Sequence, residues 1–202
     1  MKPAKQIVFV VDDDVAIREA LASLIGSVGL PVECFASPQD FLRRRHCDCP
    51  SCLVLDVRMP GLSGFDLQRE LVRAERQIPI IFVTAHGDIP MAVQAMKEGA
   101  IDFLPKPFRD EQLLEAIWKA LERDAAARVR RAEVGEIRSR VAQLTARQRQ
   151  IMARVVAGRL NKQTAAELGL SENTIKVHRH RIMERMGAGS LADLIHMLER
   201  LG

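Results

Sequence analysis

The sequence predicts two domains of different class, a doubly wound α/β domain followed by an all-α domain, and three observations carry that prediction. Over the first 122 residues, short β-branched runs alternate with amphipathic helical patterns, as in a parallel sheet covered by helices on both faces. Beyond them the pattern is wholly helical. Charge divides in the same way: residues 1–122 carry 14 Lys/Arg against 18 Asp/Glu, a net −4, whereas residues 123–202 carry 16 against 8, a net +8. A basic module beside an acidic one points to a polyanionic partner for the second module alone.

The predicted strands are "QIVFVV", "VECF", "CLVLD", "PIIFVT" and "IDFL". Between them helical patterns fall near 15–28, 37–45, 64–76 and 90–98, and a fifth begins after Asp110. Five β-then-α units in succession predict a flavodoxin-like sheet of five parallel strands with five helices, whose ligands sit at the carboxyl ends of the strands. The fifth helical pattern runs on without proline through "EQLLEAIWKALERDAAARVRRAEVGEIRSRVAQL", so the last helix of the first domain continues into a charged linker helix. Val134, Ile137, Val141 and Leu144 follow 3-4-3 spacing there, a stripe that either pairs two chains or lies on a solvated connector. The expected division is 1–122, a linker at 123–143, and 144–202.

Past Thr145 four short helices are expected, near 146–157, 161–168, 172–186 and 190–200. "ELGLS" makes a tight turn between the second and third, and Ser171 is placed to cap the helix that follows. Helix, glycine-containing turn, helix on a basic module is the pattern of a helix-turn-helix DNA-binding unit.

The apolar run near the start, "IVFVV", is too short for a signal peptide or a membrane span, so a cytoplasmic protein without membrane contact is expected. Its four cysteines, Cys34, Cys47, Cys49 and Cys52, are then expected as reduced thiols. Three of them crowd with His46 into "HCDCPSC", which invites a zinc or thiol-sensing reading. The stretch lies at the amino end of the third strand, however, and one short loop rarely supplies a whole tetrahedral site. A thiol- or metal-responsive regulator using His46, Cys47, Cys49 and Cys52 stands as the rival hypothesis.

Strand ends carry the more promising chemistry: Asp12 and Asp13 in "VVDDD", Asp56 in "LVLD", Thr84 in "FVT", and Lys106 in "PKPF". Acids converging on one sheet edge repel one another unless a divalent cation or a lysine lies among them. Asp14 reads as a helix cap, and His86 in "TAHGD" as a loop histidine at the site entrance.

With these motifs in order, residues 1–122 resemble a response-regulator receiver domain. "LTARQRQIMARVVAGRLNKQTAAELGLSENTIKVHRHRIMERMGA" resembles a LuxR-type DNA-binding domain, and together they give a FixJ/NarL-like regulator. The resemblance implies that Asp56 accepts phosphate from a sensor histidine kinase and that the chain is not an enzyme. It implies Mg²⁺ held by Asp13, Asp56 and the backbone carbonyl of Arg58, with Asp12 acting through water. Lys106 and Thr84 would bind phosphoryl oxygens, and Phe103 would turn inward behind Thr84. It also implies a cis Lys106–Pro107 bond, a homodimer on phosphorylation, and promoter DNA and RNA polymerase as partners.

In "SENTIKVHRHRIMERMG", about 100° per residue puts Ile175, Ile182 and Met186 on one face with His178 beside them. The opposite face centres on Lys176 and His180, flanked by Asn173 and Val177, and would enter the major groove. Arg179 and Arg181 lie at its rims as phosphate contacts, with Asn161, Lys162 and Thr174 as further ones.

Overall fold

A computed structural model of the chain describes residues 6–45, 47–85 and 87–201. By its internal contacts the chain divides into two compact units, one ending at Arg128 and the other beginning at Val129.

The first unit alternates strand and helix: β1 (Ile7–Val11), α1 (Val15–Ser27), β2 (Val32–Phe35), α2 (Pro38–Arg43), β3 (Ser51–Asp56), α3 (Gly64–Arg73), β4 (Ile80–Thr84), α4 (Ile89–Lys97), β5 (Asp102–Pro105) and the start of α5 (Asp110–Ala142). All strand pairs are parallel and the order is β2-β1-β3-β4-β5, the doubly wound order expected of the sequence. Residue alternation divides the core in two. Val8, Val10, Cys52, Val54, Ile81 and Val83 pack under α1 and α5. Phe9, Val11, Leu53, Leu55, Ile80 and Phe82 pack under α2, α3 and α4. Because β3 is central, all six of its residues are buried, and Asp56 is delivered at the end of an apolar run.

Side-chain caps fix where the helices begin. Asp14 accepts from the N–H groups of Ala16 and Ile17 to start α1, as expected of it, and Ser63 with Asp66 forms a capping box at α3. Gly64 is required by close approach: a Cβ there would run into the carbonyl oxygen of Asp56, with which the start of α3 is packed.

In the second unit α6 (Ala146–Val156), α7 (Asn161–Leu168), α8 (Glu172–Met186) and α9 (Leu191–Glu199) surround a core of Ile151, Met152, Val155, Ala165, Ile175, Ile182, Met186 and Leu194. Gly169 ends α7 in the left-handed conformation, and Ser171 caps α8 by accepting the Thr174 N–H. Three of the four residues of the 3-4-3 stripe pack into the second unit's own core instead of lying on a solvated connector, and Val134 is half-buried. Ile137 and Leu144 are 5% and 2% exposed within this core, and Val141 packs against it. The reason is that α6 and α8 leave an apolar face that the end of α5 covers. Arg140 there donates to the carbonyl of Met186, and Arg185 donates to the carbonyl of Gln143.

The cysteine expectation needs correcting. Cys47 and Cys49 form a disulfide, their Cα atoms 5.4 Å apart, a separation that such bridges span, while Cys34 and Cys52 are free thiols. Among the described residues, no helix is long and apolar enough to cross a membrane.

Candidate functional site

Strand ends assemble the first site. Asp12 directly follows β1, Asp56 ends β3 and Thr84 ends β4, and they are 2%, 6% and 1% exposed. Lys106 follows β5, and its backbone N–H donates to the Thr84 carbonyl at 2.7 Å, which fixes the start of its side chain beside the sheet edge. From there its Nζ reaches Asp12 Oδ2 at 2.8 Å and Asp56 Oδ1 at 3.3 Å. The remaining carboxylate oxygens are also engaged: Asp12 Oδ1 accepts the Asp14 N–H at 2.9 Å, and Asp56 Oδ2 accepts the Arg58 N–H at 2.7 Å. The Lys106–Pro107 bond is cis, as expected.

Two buried carboxylates share one ammonium, so a net negative charge stays in the pocket. Burial pushes the Asp56 carboxyl above its ordinary value; Lys106 pulls it back, and the like charge of Asp12 pushes it up again. For Lys106 burial acts downward, yet the hydrogen bond and charge of Asp12, joined by Asp56, outweigh it and hold the amine above its usual value. An aspartate in this position is a nucleophilic oxygen beside a fixed cation, which suits attack on an electrophilic phosphorus.

Other expected members lie further out. Asp13 is exposed, and Arg58 is exposed in the loop after Asp56. Phe103 is half-buried, its ring centroid 6.3 Å from that of Phe82. His86 and His46 lie outside the described residues. Sequence reading missed Arg18, which donates from one nitrogen to the carbonyls of Asp12 and Asp13, at 2.8 and 2.9 Å, and so fixes the acidic loop. Its place one turn into α1 was the available signal.

Among the described residues no three Asp, Glu, His or Cys side chains gather as a metal cage. Mg²⁺ does not need one, since it takes one or two carboxylates and fills its octahedron with water and phosphate oxygens. The donor set is compatible with that habit: Asp12 and Asp56 carry hard carboxylate oxygens under-compensated by one lysine, with Asp13 at the rim.

The second site is α8 and its surroundings. Ile175, Ile182 and Met186 are 0%, 2% and 0% exposed, and His178 lies half-buried beside them with Nδ1 unpartnered. Asn173, Lys176, Val177, His180 and Arg181 form the exposed face, as their spacing predicts. Lys176 stands 3.8 Å from Glu172, and Val177 is 43% exposed, a large apolar group on a polar face. Lys162 is exposed on α7. Two of the expected phosphate contacts meet each other: Arg179 donates to Asn161 Oδ1 at 2.9 Å and ties α8 to the start of α7. Thr174 shares a 2.8 Å hydroxyl contact with Ser171. The supporting residues Arg140, Gln148 and Arg185 were not singled out by the sequence, because their contacts to the Met186 and Gln143 carbonyls and to one another join positions about 40 residues apart.

An acidic phosphate-type pocket on a doubly wound sheet, followed by a basic helix-turn-helix unit, defines a signal-responsive DNA-binding protein. Family models agree: residues 8–118 match the response regulator receiver domain, and residues 142–198 match the bacterial regulatory proteins of the luxR family. The chain is 53% identical over 198 residues to Nodulation protein W of Bradyrhizobium diazoefficiens, covering 98% of this chain and 87% of that protein. With the Transcriptional regulatory protein FixJ of the same organism it shares 41% identity over 195 residues, covering 96% and 95%. The solved structure of the response regulator StyR is similar with a TM-score of 0.87 at 48% identity, over 98% of this chain and 100% of that one. The chain belongs to the two-component response regulators of the FixJ/NarL type.

Proposed function

We propose that Asp56 is the phosphoacceptor of this regulator, and that its phosphorylation by a sensor histidine kinase changes how the second unit binds promoter DNA. The observation that carries the reading is the meeting of Asp12, Asp56 and Lys106 at the carboxyl edge of the sheet. In the reaction an Asp56 carboxylate oxygen attacks the phosphorus of a phosphohistidine, the P–N bond breaks, and the imidazole leaves with a proton from solvent. The transition state is loose, so positioning and charge neutralisation supply the catalysis. Lys106 holds one phosphoryl oxygen and Thr84 another. Asp12, Asp13, Asp56 and the Arg58 carbonyl would hold Mg²⁺, which when bound offsets charge on the transferring oxygens.

The working division is a receiver at 1–122, a linker at 123–143 and a DNA-binding domain at 144–202. Phosphorylation adds about −2 charge to a crowded acidic pocket and biases Thr84 and Phe103, and the face of α4, β5 and α5 reports the change by homodimerising. Ile89, Val93 and Met96 on α4, exposed at 80%, 46% and 49%, supply that face with apolar surface. On DNA, Lys176 and His180 read guanine acceptors, Val177 touches a thymine methyl group, and Asn161, Lys162, Asn173, Thr174, Arg179 and Arg181 position the helix on phosphates or base edges. RNA polymerase is the further partner and the cytoplasm the compartment.

The test is labelling with a small phosphoryl donor and Mg²⁺, read by intact mass. Wild type should gain one phosphoryl group and Asp56→Asn none. A mutant labelled to the same extent would overturn the site.

A further inference from the structure

Of the glycines in the first unit, two lie against the site, and they differ in what surrounds them. At Gly64 an added Cβ would meet backbone, the carbonyl oxygen of Asp56, which cannot give way. At Gly87 it would meet only side chains: Phe103 Cε1 at 2.7 Å, Thr84 Cγ2 at 3.0 Å and Phe103 Cζ at 3.1 Å. A glycine can be called for by its own backbone or by what surrounds it. What calls for it at 87 is the volume taken by the two neighbours.

Those neighbours are the two residues expected to carry the signal inward from Asp56. Thr84 is 1% exposed at the end of β4, and Phe103 is half-buried on β5 with its ring against Phe82. Their strands pair, with Phe82 opposite Phe103 and Thr84 opposite Pro105, so the Phe103 ring edge and the Thr84 methyl converge on the loop that follows β4. We propose that Gly87 is a positioning residue of the phosphorylation readout: its missing Cβ is the space through which the Phe103 ring and the Thr84 methyl are held together and can shift together. This rests on Asp56 as phosphoacceptor and adds a third member to the relay behind it. Alanine at 87 overlaps the ring edge most closely and presses on the Thr84 methyl, so its nearest neighbours are Phe103 and Thr84 and not the Asp12, Asp56 and Lys106 cluster.

The test is a double-mutant cycle in the full-length protein with Gly87→Ala and Phe103→Leu, the latter keeping an apolar side chain while removing Cε1 and Cζ. Each protein is labelled with a small phosphoryl donor, its labelling read by mass, and its DNA affinity measured with and without label. Phe103 ring resonances are recorded for the two proteins that retain the ring. Gly87→Ala should label as wild type does, displace the ring resonances, and change the ratio of labelled to unlabelled DNA affinity by at least about threefold. In the Phe103→Leu background the same substitution should change that ratio by less than about twofold. Normal labelling with an unchanged ratio, or an equal effect of Gly87→Ala in both backgrounds, would overturn the role of Gly87 alone. Failure of wild-type Asp56 to accept label would overturn the reading of the site and this inference with it.

Discussion

At its carboxyl end β3 delivers Asp56 into a pocket where it and Asp12 share the single ammonium of Lys106. At its amino end Ser51 donates its backbone N–H to Asp124 at 2.9 Å, and the same Asp124 oxygen takes the Nε of Arg128 at 2.7 Å. Arg128 also reaches the Cys47 carbonyl at 3.3 Å and Asp48 at 3.5 Å, so the cysteine loop is fastened to α5. Both aspartates are almost wholly buried, at 6% and 1% exposure. The difference lies in charge balance. At the amino end the buried carboxylate of Asp124 faces the Arg128 guanidinium and a backbone donor, and the second carboxylate on Arg128, Asp48, is fully exposed to solvent, so the buried charges of this clasp are matched. Two carboxylates against one lysine is an unmatched pocket, with stability given up for a site that a cation and a phosphoryl group can complete.

Removing the clasp should have the largest effect on stability. Asp124→Ala leaves the Ser51 N–H without its buried acceptor and Arg128 with only the exposed Asp48 and the Cys47 carbonyl, and should cost about 3 kcal/mol. Urea unfolding measures it, and labelling of the folded fraction at Asp56 should stay within about twofold of wild type. A loss under about 1 kcal/mol would remove the contrast between the two ends.

Neutralising the unmatched end should act in the opposite direction. Asp56→Asn is expected to raise stability at neutral pH while abolishing labelling. The pH dependence follows from the raised carboxyl of Asp56. Folded wild type keeps that proton to higher pH than the unfolded chain does, so its stability falls as pH rises from the ordinary carboxylate value of 3.8 through the raised one. Asparagine lacks this slope. The advantage of the mutant should therefore be absent in acid, grow across that window and then level off; an advantage that shrinks with rising pH would contradict the charge account.

The smallest effect is expected at the cysteines. Cys47→Ser with Cys49→Ser should lower stability by no more than about 1.5 kcal/mol, since the bridge joins residues separated by only two positions, and labelling at Asp56 should not change. Loss of labelling in that variant would revive a thiol role for the loop. Cys52 contributes little to such a role, being fully buried at the start of β3, where burial pushes its thiol far up.

What could be read from the sequence follows from how far apart the partners lie along the chain and how common each residue type is at its place. The strand runs, the caps at Asp14 and Ser171, and the stripe of Ile175, Ile182 and Met186 are local patterns, and they appear where the spacing puts them. Asp12, Asp56, Thr84 and Lys106 were legible although distant, because each stands at a strand end, and a parallel sheet brings those ends to one edge. The Asp124 clasp had no such guide. Its aspartate sits in a charged helical run and its partner is a backbone N–H 73 residues away. The stripe at Ile137 and Leu144 was visible, but periodicity alone does not say which surface covers an apolar face, and here the same unit supplies it. The pairing of Cys47 with Cys49 depends on how one short loop turns, which residue types do not reveal.

The most direct test joins the two units. Full-length protein labelled to completion at Asp56, its occupancy confirmed by mass, is compared with unlabelled protein for binding to a DNA site selected by the chain itself, at a fixed salt concentration. The account predicts that label changes the affinity by about tenfold or more, and that Asp56→Asn shows no change on the same treatment. Equal affinity before and after confirmed labelling would contradict it.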